Sequence, residues 1–238
     1  MKLSQRIHTP EWIDLGPDYY TRAEYEDCLY QLDRIGRYLG GDQASFQAFQ
    51  KLSEPPNSIL DVGCGGGTLT MRLAEYYPHA QVLGIDIAQE AIIWAQKRLQ
   101  AYIPPLTNIK FQVPSTPQLE YLPKTFDVVT STLVCHHLSD EALIDFLKQS
   151  YRIAKKAVIL NDLHRHILAE KGFSIIARLF FRNRLIIHDG LLSIKRAFIY
   201  DDWVNYLQAA AIPLDRCSIT WHWPFRWTVF INAPESEN

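Results

Sequence analysis

The stretch ILDVGCGGGTLT, Ile59 to Thr70, sets Gly63, Gly65, Gly66 and Gly67 directly behind an apolar run that contains Asp61. A short continuous apolar run reads as a buried parallel strand, and the segment from Thr68 has helical spacing, so the glycines form a strand-to-helix corner. Residues without a Cβ accept positive φ and let a ligand lie against backbone N–H groups. The helix that follows turns its positive end toward any anion held there. A Walker-type phosphate loop would end in Gly-Lys-Ser/Thr, where this chain has Gly67-Thr68-Leu69. A dinucleotide fingerprint fits at Gly63 and Gly65 but meets Thr68 where its sixth-place glycine should stand.

Outward from this corner the pattern repeats. Strands are expected at 58–62, 81–86, 108–113, 126–134 and 156–161, and helices at 68–77, 88–102 and 139–153, the first closed by Pro78 and the second by Pro104-Pro105. Such alternation implies an α/β fold, a doubly wound, mostly parallel sheet with right-handed connections. Upstream, Tyr25, Cys28, Leu29, Leu32, Ile35 and Leu39 line one face of a helix over 22–39 that Gly40-Gly41 stops, and a second helix starts at Asp42. Residues 1–56 therefore read as a helical preface to a domain spanning 57–238. Downstream, helices are expected near 164–181 and 199–210, followed by a hairpin divided at Pro224.

Composition narrows the partners. Lys and Arg total 24 against 26 acids, and 47% of residues are hydrophobic, which predicts a chain with a proper core and no field of the kind that gathers nucleic acid. Cys28, Cys64, Cys135 and Cys217 lack paired ligand spacing, and no apolar signal region follows Met1, so a reduced, cytoplasmic setting is expected. The apolar run 175–187 is interrupted by Arg178, Arg182 and Arg184 and is too broken to span a membrane. No carboxylate–histidine set at ligand spacing is visible, and no metal is expected.

With Asp61 ahead of Gly63, Gly65 and Gly67, the corner resembles the first motif of the class I S-adenosylmethionine-dependent methyltransferases. The strand VLGID ends in Asp86, a place where a carboxylate can accept both hydroxyl protons of a ribose. A third landmark, FDVVTSTLVCHHLSD at 126–140, resembles the ubiquinone- and menaquinone-biosynthesis type and related bacterial small-molecule methyltransferases. The resemblance implies a seven-stranded sheet and S-adenosylmethionine as cofactor. It sets Asp86 on the ribose, Ile87 beside the adenine, and Asp61 and Gly63 near the methionine end, with Cys64, Gly65 and Gly67 completing the corner. Relatives often carry Asp-Ala after the third strand. Here Ser115 and Thr116 stand nearby instead, and a hydroxyl or backbone contact would have to serve the adenine.

Methyl transfer to a hydroxyl needs a group that takes its proton, and the carboxyl ends of the strands are where it should lie. His136-His137 follows the fourth strand and Asn161 to His166 the fifth. His136 or His164 is expected as base, with His137, Arg165 and His166 toward the acceptor; the bland alternative is helix capping by Asp162 and histidines that only bond backbone. The insertion 163–200 mixes Ile175, Ile176, Leu179 and Phe180 with arginines and is expected to act as a lid over a lipophilic acceptor, or to rest transiently on a membrane face; His188 is placed in a turn. The expected activity is methylation of a small, aromatic or lipophilic molecule, at oxygen before carbon. A nicotinamide oxidoreductase and a non-catalytic cofactor-binding protein remain the alternatives. Nothing in the sequence speaks to oligomeric state.

Overall fold

A computed structural model describes residues 5–233 of the chain. Its centre is a seven-stranded sheet built from β1 (Ser58–Val62), β2 (Gln81–Ile85), β3 (Ile109–Gln112), β4 (Phe126–Thr132), β5 (Ala154–Leu163), β6 (Cys217–His222) and β7 (Arg226–Asn232), in the order β3-β2-β1-β4-β5-β7-β6. All pairs from β3 to β5 are parallel, and β7 lies antiparallel to both β5 and β6. Strand order reverses between β1 and β4, and the carboxyl ends of those two strands are where an open α/β sheet takes its ligand.

The helices are α1 (Arg22–Tyr38), α2 (Gly41–Phe49), α3 (Thr68–Tyr76), α4 (Gln89–Gln100), α5 (Asp140–Ile153), α6 (Ile167–Phe180), α7 (Arg184–Arg196) and α8 (Tyr200–Ala209). On one side of the sheet Leu60, Val129, Val158 and Leu160 pack with Leu143 and Leu147 of α5 and Trp203 and Leu207 of α8. On the other side Ile59, Val128 and Ile159 pack with Phe49 of α2, Met71 and Leu73 of α3 and Ile92 and Ala95 of α4. Two buried faces explain why β1 and β4 read as unbroken apolar runs rather than alternating ones.

Two expectations are corrected. β4 ends at Thr132, short of 134, because Leu133 takes φ 59° and turns the chain into the His136 loop. His188 does not sit in a turn: it lies within α7, a helix not separately foreseen because Gly190 interrupts its pattern. That glycine has a packing reason, since a Cβ there would stand 2.4 Å from the Phe173 ring of α6.

The preface is integrated with the sheet. Cys28 of α1 packs against Leu185 and Ile186 of α7, and Asn161 of β5 donates to the Gly41 carbonyl and to Ser45 Oγ of α2, both at 2.8 Å. Ahead of α1 a strap runs across the molecule through the short 3-10 turn Trp12–Leu15, whose Trp12 and Ile13 amides donate to Asp189 of α7 at 2.9 and 3.1 Å. Among the described residues no helix is long and apolar enough to cross a membrane.

Candidate functional site

The glycine corner closes on itself before any ligand is considered. Gly63 and Cys64 amides donate to the Ile85 carbonyl at 2.8 and 3.0 Å, and the Gly65 amide donates to Asp86 Oδ2 at 2.8 Å. Asp86 Oδ1 accepts the Ala88 amide at 2.9 Å. Each of the three expected glycines has positive φ: 70° at Gly63, 50° at Gly65 and 74° at Gly67. Their surroundings differ. A Cβ on Gly63 would meet Val134 Cγ2 at 2.3 Å and one on Gly67 would meet Phe111 Cζ at 2.5 Å, whereas one on Gly65 would meet nothing nearer than Leu29 Cδ2 at 3.9 Å. Protein packing demands glycine at the first and third places; at Gly65 the space is left open.

Asp61 is buried and accepts the Thr70 hydroxyl at 2.6 Å. Burial pushes its carboxyl up to about 7, with the Thr70 bond opposing and the Asp86 charge adding to the rise. Asp86 is also raised, by burial first, while the amides of Ala88 and Gly65 and the nearby His137 pull it down. Ile87 beside it is 74% exposed, an apolar surface next to an open carboxylate. Cys64 turns its sulfur toward β2, 3.1 Å from where a Cβ on Gly84 would stand, and its thiol is raised by burial. Ser115 is exposed, and the Thr116 hydroxyl donates to the Gln118 carbonyl at 3.4 Å.

The two histidine loops do not converge as expected. His136 is 2% exposed and its Nδ1 bonds Asp162 Oδ1 at 2.7 Å, while its amide donates to Asp162 Oδ2 at 3.1 Å. Complete burial would raise Asp162, yet the charge and hydrogen bonds of His136 and the Leu163 amide overcome it and hold the carboxyl below its ordinary value. An ionised carboxylate only accepts, so Nδ1 donates to Asp162 and the ring turns Nε2 away from it. His137 repeats the arrangement, its Nδ1 bonding Asp14 Oδ1 at 2.7 Å.

His164, Arg165 and His166 serve elsewhere. The His164 ring lies against Trp227 and takes the Trp221 indole N–H on Nδ1 at 3.1 Å; burial, then the charges of His166 and Arg165, push its pKa down to about 4. Arg165, expected to face the acceptor, is buried and donates to the Ala197 carbonyl at 2.6 Å and Asp202 at 2.9 Å. His166 caps α6 by accepting the Leu168 amide on Nδ1 at 3.1 Å and stacks on Phe225. His164 and His166 gather at Phe225 in the turn between β6 and β7, because the antiparallel β7 brings its hairpin to that edge, whereas Arg165 is held by Ala197 and by Asp202 of α8.

One functional candidate was invisible in the sequence. Glu11, on the N-terminal strap, is 3% exposed and faces both histidines: Oε1 is 3.7 Å from His136 Nε2 and Oε2 is 4.0 Å from His137 Nε2. Burial raises it to about 7 despite the His137 and Arg196 charges. Arg196 of α7 ties the strap to the loop, donating to Asp14 Oδ2 at 2.6 Å and to the carbonyls of His136 and His137 at 3.0 and 2.8 Å. A short-range signal for Glu11 does not exist, since its partners lie on the far side of the sequence.

A concavity of about 590 Å³ beside Phe49, Leu52, Pro56, Tyr76 and Tyr77 is at the amino ends of β1 and β2, the wrong edge for this site. A smaller one of about 190 Å³ lies between Tyr20 and Tyr25 of the preface and Glu90 and Ile93 of α4, the helix that starts just beyond Asp86.

A family model for a methyltransferase domain matches residues 59–157. An uncharacterized methyltransferase of Schizosaccharomyces pombe is 33% identical over 47% of this chain and 44% of its own length. A ubiquinone biosynthesis O-methyltransferase of Albidiferax ferrireducens is 41% identical over 36% of this chain and 33% of its own length. The chain thus spans less than half the length of either relative. Among solved structures, the plantazolicin methyltransferase BpumL, in complex with a pentazolic desmethyl analogue and S-adenosylhomocysteine, shares the fold at a TM-score of 0.70 with 16% identity, over 94% of this chain and 93% of that one. The matched model, the ordered motifs and the shared fold make residues 59–157 similar to a methyltransferase domain.

Proposed function

We propose that the chain binds S-adenosylmethionine at the glycine corner and transfers its methyl group to an oxygen of a small, aromatic or lipophilic acceptor. The observation that carries this reading is the open carboxylate of Asp86, held by the Gly65 and Ala88 amides beside exposed Ile87, with unfilled space over Gly65. Asp86 would take the ribose hydroxyls, Ile87 would cover one adenine face, and Asp61 with Gly63 would meet the methionine end. Ser115 and Thr116 are the nearest polar groups offered to the adenine edge. When bound, the cofactor supplies a methyl group on a sulfonium, a good leaving group that needs no activation by the protein.

What the protein must add is the acceptor's position and a sink for its proton. His136, oriented by Asp162, presents Nε2 for that proton in the metal-free protein, and His137, close enough to Asp86 for its charge to be felt there, lines the way between the two sites. His164 is set aside as base because Trp221 already donates to it. Names of curated relatives, a ubiquinone biosynthesis O-methyltransferase and a 2-methyl-6-phytyl-1,4-hydroquinone methyltransferase of Synechocystis, support a quinol-like acceptor. The exposed Ile175, Leu179 and Phe180 of α6, with Arg178 and Arg182 interleaved, support a lipophilic acceptor delivered beneath a lid or from a membrane face.

Labelled S-adenosylmethionine incubated with a panel of phenols and quinols tests the reading. Methylated product that falls at least tenfold in His136→Asn is expected. Binding of NAD or NADP, with none of S-adenosylmethionine, would refute it in favour of an oxidoreductase.

A further inference from the structure

Two imidazoles and one carboxylate from distant parts of the chain meet beneath the N-terminal strap, and nothing in the methyl-transfer reading requires all three. We propose that Glu11, His136 and His137 form a binding site for one divalent transition-metal ion of the zinc, cobalt or iron(II) class.

The geometry is that of ligands, not of a hydrogen-bonded cluster. One donor atom from each residue falls within 4.8 Å of the others. The separations from Glu11 to the two Nε2 atoms, 3.7 and 4.0 Å, are too long for hydrogen bonds. Metal–nitrogen bonds of about 2.0–2.1 Å place tetrahedral neighbours roughly 3.3–3.4 Å apart, so the carboxylate and the two rings are near enough for side-chain adjustment to bring them around one ion. Each histidine also has the outer partner that ligating histidines use. Nδ1 of His136 is backed by Asp162 and Nδ1 of His137 by Asp14, both at 2.7 Å, which fixes the rings and leaves both Nε2 lone pairs pointing inward. The Ser193 hydroxyl holds Glu11 Oε1 at 3.0 Å.

The charges agree. Glu11, Asp14 and Asp162 surround two neutral-capable rings, and Arg196, which comes within 3.8 Å of Glu11 Oε1, spends its donors on Asp14 and three backbone carbonyls, those of Thr9, His136 and His137. At 3.8 Å Arg196 makes no hydrogen bond to the buried carboxylate, and a divalent ion is a partner that two imidazoles can share with it. Donors of this kind suit zinc and its neighbours; magnesium and calcium prefer oxygen sets. Three protein ligands leave a coordination position open. An ion there uses the His136 lone pair, so a hydroxyl acceptor bound to it is then ionised by coordination, the oxygen keeping the electron pair and the proton passing to solvent.

The inference stands apart from the methyl-transfer reading, because it is read without cofactor or acceptor. Chelator-stripped protein titrated with Co²⁺ should show visible absorption bands saturating at one equivalent and abolished by Zn²⁺. Glu11→Gln and His137→Gln, each verified as folded by circular dichroism, should weaken Co²⁺ binding about tenfold or more, while His164→Gln retains it. Absence of saturable binding, or binding that survives both ligand substitutions, or equal loss in His164→Gln, would overturn the proposal.

Discussion

Asp86 and Asp61 carry opposite burdens in the same corner. Asp86 satisfies two amides and is open to a ligand, so Asp86→Ala loses charge-assisted bonds on both sides. An affinity loss of about 1.5–3 kcal/mol for S-adenosylmethionine is expected, measured by isothermal titration as a dissociation constant roughly ten- to 150-fold higher. Asp61 is a carboxyl whose pKa rises from 3.8 to about 7 on folding. The folded state therefore keeps a proton that the unfolded chain releases, and stability falls as pH climbs from about 4 to about 7, levelling off above. Melting temperatures across that window should fall less steeply in Asp61→Asn than in the parent. Both acids were legible in the sequence because a strand end followed by glycine, or by a helix start, is a local pattern. Glu11 was not, since nothing near it in the chain marks it as buried.

The β1–corner–α3 element separates Gly63 and Gly67, which packing demands, from Gly65, which has open space beside it. Gly67→Ala adds a Cβ 2.5 Å from Phe111 Cζ and 2.9 Å from Ala95 Cβ at φ 74°, so it forces both overpacking and backbone strain. A loss of about 2–4 kcal/mol in urea unfolding is expected. Gly65→Ala has open space and φ 50°, so its stability loss should be smaller than that of Gly67→Ala while its effect on S-adenosylmethionine affinity is larger. A reversed ranking in either measurement would mean that Gly65 is there for the fold alone. α7 shows the opposite limit of local reading. Gly190 and Asp189 give its sequence the look of a turn, but the Phe173 ring, the Asp189 bonds to the strap and the burial of Leu185 and Ile194 outweigh the propensity cost of one glycine.

At the scale of the whole molecule, the strap and α7 are what turn a common sheet into a particular site. Arg196 joins Thr9, Asp14, His136 and His137 and is 4% exposed. Arg196→Ala takes one donor from Asp14 and one from each of three carbonyls, those of Thr9, His136 and His137, and a loss of about 3 kcal/mol or more is expected. Limited proteolysis should then cut faster between residues 5 and 20 than in the parent, and an unchanged cleavage rate would show that the strap is held by other contacts. The sequence by itself determined the sheet, its helices other than α7, the terminal hairpin and the glycine corner, because apolar period, prolines and glycines act over a few residues. Only the tertiary structure decided the acceptor side. It carried His164 and His166 to the hairpin edge, tied Arg165 to Asp202 and closed Glu11 over His136 and His137. The reason is physical: which nitrogen of a ring is free, and which carboxylate faces it, depends on partners such as Asp14 and Asp162 that packing brings together from opposite ends of the chain.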